Sequence, residues 1–146
     1  MENSGDAPPR PVGHEAIGDT LHVPVMRFAL AGELEHLKQQ ESWRRGAGPS
    51  STTLVKHPDL RIVLAALRRG EHMSEHRTEA RFSLQVLSGK LRVRLPDRID
   101  DLGAGELLVL DRGLAHDVDA LEDSEFLLTL AWPAAAPSAG GDDAND

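Results

Sequence analysis

The residues able to do chemistry here are few, and histidine stands first among them. The chain has seven histidines, no cysteine and no tyrosine. Without a thiol, thiolate nucleophiles, thiolate metal sites and disulfides are excluded. Without tyrosine, one common acid–base group is missing. His72 and His76 share strand parity, so an extended backbone would present both on one face. Glu75 and Glu79 have the opposite parity unless a turn near Arg77 breaks the count. Ser74 lies near His76, but nothing like a nucleophile elbow surrounds it. Neither a phosphate-binding glycine loop nor a dinucleotide fingerprint occurs.

Other polar residues sit in apolar surroundings. Gln85 interrupts the run LQVL, and a buried amide must find partners. It could orient a ligand, or bond to a neighbouring strand or a second protomer. Arg61, Arg92 and Arg94 could attract an acidic ligand, although solvated strand faces are the ordinary place for such cations. Met73, Phe82, Leu84 and Val86 would either line an apolar cavity or fill a core. Trp43 and Trp132 are expected to anchor a helix and the final strand. His14, His36 and His57 read as surface or linker residues.

These residues need a scaffold, and 146 residues suit one domain. Residues 1–19 are rich in Pro and Gly, and 133–146 read PAAAPSAGGDDAND. Both are expected to be disordered tails, because they cannot bury enough apolar surface to offset the entropy of ordering. The 20–132 segment then forms the folded domain. Each tail carries −3 of the net −8, so about −2 belongs to the folded part. Interspersed charges of that kind leave no footprint for nucleic acid or for a membrane surface. No apolar run approaches the ~20 residues that span a bilayer, and no basic segment with an apolar run opens the chain. A cytoplasmic protein is the expectation.

The hydropathy pattern gives one helix, over 29–45, with Leu30, Leu34 and Leu37 at helical spacing. Gly46, Gly48 and Pro49 end it. The stripe is narrow, which suits packing on a sheet. Short strands follow: 52–56, 60–68, 81–88, 90–95, 106–110, 116–120 and 125–132, with 22–26 as an edge strand limited by Pro24. In 90–95, Leu91, Val93 and Leu95 alternate with Arg92 and Arg94. Turn signals separate the strands, and this spacing indicates an all-β sandwich or barrel.

The glycines and histidines resemble the cupin superfamily. In its first motif Gly70 is followed after five residues by His76, Thr78 holds the second His position, Phe82 the Glu position, and Gly89 closes the motif. In the second, Gly105 leads to Asp111 in the Pro position, then Gly113 and His116, with Ala120 in the Asn position. The resemblance covers roughly 60–132. It implies an all-β double-stranded β-helix, a jelly-roll barrel with the helix packed outside. Its mouth would be able to hold one small ligand.

Metal-binding cupins hold a divalent ion with three His and one Glu. Carried over, only His76 and His116 survive, and two imidazoles rarely make a tight site. If His72 shares their cavity, His72, His76 and His116 make an open metal site for Fe, Ni, Mn or Zn. Otherwise no metal is held, and His76 and His116 are hydrogen-bonded groups in a polar mouth. The pocket residues expected on the resemblance are His76, His116, Thr78, Phe82 and Gln85. Three functions follow: a barrel that binds a small molecule, a metal-dependent oxygenase or isomerase, and a structural barrel without ligand. A homodimer is expected from the resemblance, with 22–56 supplying contacts.

Overall fold

In the computed structural model residues 23–76 and 79–133 are described, with only the backbone of 75–76. The tail at 1–19, the rest of the tail at 134–146, His14, His22 and Thr78 lie outside the described residues. Two antiparallel sheets face each other. Helix α1 (Leu30–Leu37) and helix α2 (Glu41–Arg45) precede nine strands. These are β1 (Ser50–His57), β2 (Leu60–Leu67), β3 (His72–His76), β4 (Arg81–Ser88), β5 (Lys90–Leu95), β6 (Arg98–Gly103), β7 (Leu107–Leu110), β8 (His116–Ala120) and β9 (Ser124–Ala131). The orders are β1-β2-β9-β4-β7 and β3-β8-β5-β6. This is the all-β jelly roll that the resemblance implied.

The sheets close because alternation points one side of each strand inward. Ala65 and Leu67 of β2, Leu84 and Val86 of β4, Leu91 and Val93 of β5, and Phe126 of β9 are fully buried between them. Leu91 and Val93 face in as their alternation demands, while Arg92 bonds outward to Asp101 through two contacts of 2.8 and 3.0 Å.

The outer face of the five-stranded sheet is covered on the β1–β2–β9 side. Met26, Phe28, Leu30 and Leu34 pack there against Leu54, Val55 and Leu64. This segment therefore covers its own sheet. Residues 23–26 form no strand, as Pro24 limits pairing. The single expected helix is two. Leu37 and Trp43 both pack with Ala66, and an unbroken helix would set them about 240° apart. The chain tightens after α1 (Gln40 N–H to Leu37 O, 3.0 Å) and turns extended at Gln40 (ψ 151°) before α2 begins. Both side chains then reach the sheet. The α1 end is tied to β9 by the Lys38–Glu125 ion pair. Among the described residues no helix is long and apolar enough to cross a membrane.

Strands β3 and β6 escape the sequence pattern. HMSEH carries no apolar alternation, and RIDDLG is poor in β-formers. Each is held by its partner: β3 by β8, and β6 by β5 across the Pro96–Asp97 turn.

Candidate functional site

The two ends of the sandwich differ. At one, Gly89 turns β4 into β5 with φ +90°, and its absent Cβ would stand 2.3 Å from the Asp123 carbonyl oxygen. Ser124, fully buried, accepts the Lys90 N–H at 2.9 Å and donates to the Glu122 carbonyl at 2.8 Å. That end is closed.

The other end is open and holds a cavity of about 350 Å³. Three neighbouring strands of one sheet supply half of its lining residues. Arg61 and Val63 begin β2, Leu128 and Leu130 lie opposite them in the β9 ladder, and Phe82 is opposite Leu130 on β4. Across the gap Met73 and Ser74 of β3, with His116 and Val118 of β8, complete the wall, and Trp132 caps it. The walls are mostly apolar, with Arg61, Ser74 and His116 as polar groups, as in sites for small organic ligands.

His116 is buried, and its Nδ1 lies 2.9 Å from the Leu114 carbonyl oxygen. A carbonyl only accepts, so Nδ1 donates this bond. The Phe82 ring tilts onto the imidazole, with centroids 4.5 Å apart. Phe82 thus fills volume beside His116 at the position where the motif would place a carboxylate. His76 pairs with His116 in the β3–β8 ladder; Thr78 lies outside the described residues.

Two expected site residues are elsewhere. His72 does not share a face with His116. A bulge inserts one residue between Met73 and His76 and flips the parity. His72 lies on the outer wall with its Nδ1 2.6 Å from Asp119 Oδ1, and Arg94 holds the other carboxylate oxygen at 2.7 Å. Burial alone would raise the Asp119 carboxyl, but the hydrogen bonds from His72 and Arg94 outweigh it and lower its pKa. Gln85 is exposed, on the outer face between Leu107 and Leu127. Its strand alternates, and Leu84 and Val86 hold the inner positions.

A metal is what the cupin motif implies, and the described residues do not fit one. They contain no group of three His, Asp or Glu that could hold an ion. Of the four motif positions, one is the Phe82 ring and one a threonine, and the expected third imidazole, His72, faces away.

Arg61, which the sequence allowed to attract an acidic ligand but placed by default on a solvated strand face, lines the pocket. The clue was its position: it opens β2 on the parity of Val63, Ala65 and Leu67, all inward. Its guanidinium carbon lies 5.6 Å from the Trp132 ring centroid. Trp132 therefore does more than anchor the final strand.

No protein-family model matches the chain, and no curated protein does. Among solved structures it is similar to a conserved protein of unknown function from Streptococcus pyogenes, at 22% identity, 81% of this chain, 95% of that one and TM-score 0.59. It is similar to a cupin superfamily protein from Desulfitobacterium hafniense, at 19% identity, 61% of this chain, 82% of that one and TM-score 0.59. A variant of the salicylate 1,2-dioxygenase from Pseudoaminobacter salicylatoxidans gives TM-score 0.64 at 15% identity, over 71% of this chain and 33% of that one. Two facing antiparallel sheets, glycine turns at Gly70, Gly89, Gly105 and Gly113 and these neighbours agree: the chain has the cupin fold.

Proposed function

We propose that the chain binds a small organic molecule in the open end of its barrel. The observation that carries this reading is the cavity itself. It is about 350 Å³ in volume, its walls are apolar, and Arg61, Ser74 and His116 converge on it. Phe82 contributes an aromatic surface and His116 a polar group. His76, opposite His116 in the ladder, belongs to the same mouth in this reading. A metal-dependent reaction is disfavoured by the Phe82 ring lying on His116 and by the outward course of His72. A homodimer belongs to the proposal as an assembly state, and sedimentation equilibrium tests it.

Neutral indole serves as the first probe. Titrated into the full chain, it is expected to bind about one molecule per chain, with a dissociation constant in the ~1 mM range or tighter, as a fragment of its size allows. Val63→Phe fills the cavity and is expected to weaken indole at least ~10-fold with the far-ultraviolet circular dichroism unchanged. Indole binding that ignores Val63→Phe would place the ligand elsewhere and end this reading.

A further inference from the structure

Among the described residues Arg61 is the one guanidinium on the cavity wall, and its surroundings do not explain it. Its Nε is buried with no hydrogen-bond partner among the described residues. Every other arginine paired on these sheets has its carboxylate: Arg92 has Asp101, Arg94 has Asp119, Arg98 has Asp100 and Arg81 has Asp111. Arg61 has an aromatic ring, Trp132, and apolar neighbours. No carboxylate among the described residues lines the cavity. Opposite Arg61 in the β1 ladder stands Lys56, a second cation, exposed at the rim.

A buried donor left unsatisfied costs of the order of 1–3 kcal/mol, more when it is charged. Arginine keeps its charge at physiological pH, so the cost cannot be relieved by losing a proton. The guanidinium carbon stands within cation–π range of the Trp132 ring, and the Nε–H is left for a partner. A carboxylate is the partner whose geometry matches that fork.

We propose that the cavity takes a small organic acid with an apolar body, its carboxylate held by the Arg61 guanidinium. The rest of the wall fits the rest of such a molecule. Val63, Leu128 and Leu130 flank Arg61 on the same sheet face, and Phe82 and Val118 enclose the far side. The acid end lies at Arg61, beside Trp132, and the apolar end points toward Phe82. This inference rests on the cavity being the binding site, and the test separates the two.

Indole-3-carboxylate and indole-3-carboxamide have nearly the same shape and differ in charge. Both are titrated by calorimetry into the full chain, wild type and Arg61→Met, at a pH where the acid is ionised. The acid is expected to bind at least ~10-fold more tightly than the amide, the size of one charge-assisted hydrogen-bonded contact. Arg61→Met is expected to abolish that preference. Arg61→Lys, which keeps the charge and loses the fork, should retain only part of it. Arg61→Met is also expected to unfold at no lower urea concentration than wild type, since it removes an unpaired buried donor. Equal affinity for acid and amide, or a preference that survives in Arg61→Met, overturns the proposal and leaves the cavity reading standing. Failure of indole, acid and amide alike up to ~10 mM overturns both.

Discussion

The two ends of the barrel are built from the same strands and obey different rules. At the closed end Leu67 and Phe126 are fully buried, and the buried hydroxyl of Ser124 finds both a donor and an acceptor in the backbone. At the open end a cavity of about 350 Å³ remains, and the Nε of Arg61 is buried without a partner among the described residues. β2, β4 and β9 run through both ends, so strand pairing does not account for the contrast; the side chains do. Leu67, Val86 and Phe126 meet across the closed end, whereas Arg61, Ser74 and His116 stand where apolar residues would have filled the open one. Local rules are broken where a protein keeps room for something other than itself.

The strongest way to break this comparison is to damage the closed end at its tightest point. Gly89→Ala places a Cβ 2.3 Å from a backbone oxygen and 2.7 Å from the Ser124 Cα, at φ +90°. Neither atom belongs to a flexible side chain, so the turn itself must move. A loss of at least ~3 kcal/mol in urea unfolding is expected, or no folded protein at all. A loss under ~1 kcal/mol would show that the closed end has slack.

The same deletion made at both ends sharpens the contrast. Phe126→Ala empties a fully enclosed site and is expected to cost about 3–5 kcal/mol. Phe82→Ala borders a cavity already open, so its cost is expected to be lower by at least ~1 kcal/mol. Equal losses would mean that the open end is packed as firmly as the closed one.

The smallest effect is expected on the outer wall, at Asp119. Asp119 bonds to His72 and Arg94, which lower its carboxyl below the ordinary 3.8 against the opposing effect of burial. A lowered acid stabilises the fold above its unfolded value and ceases to do so as pH falls through the folded one. Asp119→Asn is therefore expected to cost up to ~1 kcal/mol at pH 7 after solvent screening. The difference from wild type should shrink below about pH 4. A difference that grows on acidification would mean that the carboxylate is not the stabilising form.

The sequence shows most of this fold and less of its site. Wherever burial on one face imposes alternation, as in RFSLQVLS and KLRVRL, the strands are legible to the residue. Strands β3 and β6 are not, because their stability comes from long-range ladders rather than their own composition. His116 and Phe82 are legible through the glycine-framed spacing. His72 was misplaced because parity counting assumes an unbroken strand, and the β3 bulge depends on pairing with β8. Gln85 was misplaced for a different reason: its apolar neighbours Leu84 and Val86 face the opposite way. Arg61 is legible as a cation able to attract an acid but not as a pocket residue, because a charged residue at a strand start ordinarily faces water. Only the approach of Trp132 from the far end of β9 shows that it does not.

The central place of β9 has a kinetic consequence. It lies between β2 and β4 in its sheet, pairing Leu60 with Ala131 and Arg81 with the same residue. On a ribosome, β2 and β4 emerge long before Ser124–Ala131, and until then their facing edges have no shared partner. Such sequence-distant ladders must be closed before they return any energy, which places folding in the range of milliseconds to seconds, the slow end for a domain this small. Nascent chains halted before β9 would expose those edges and form the species most exposed to aggregation.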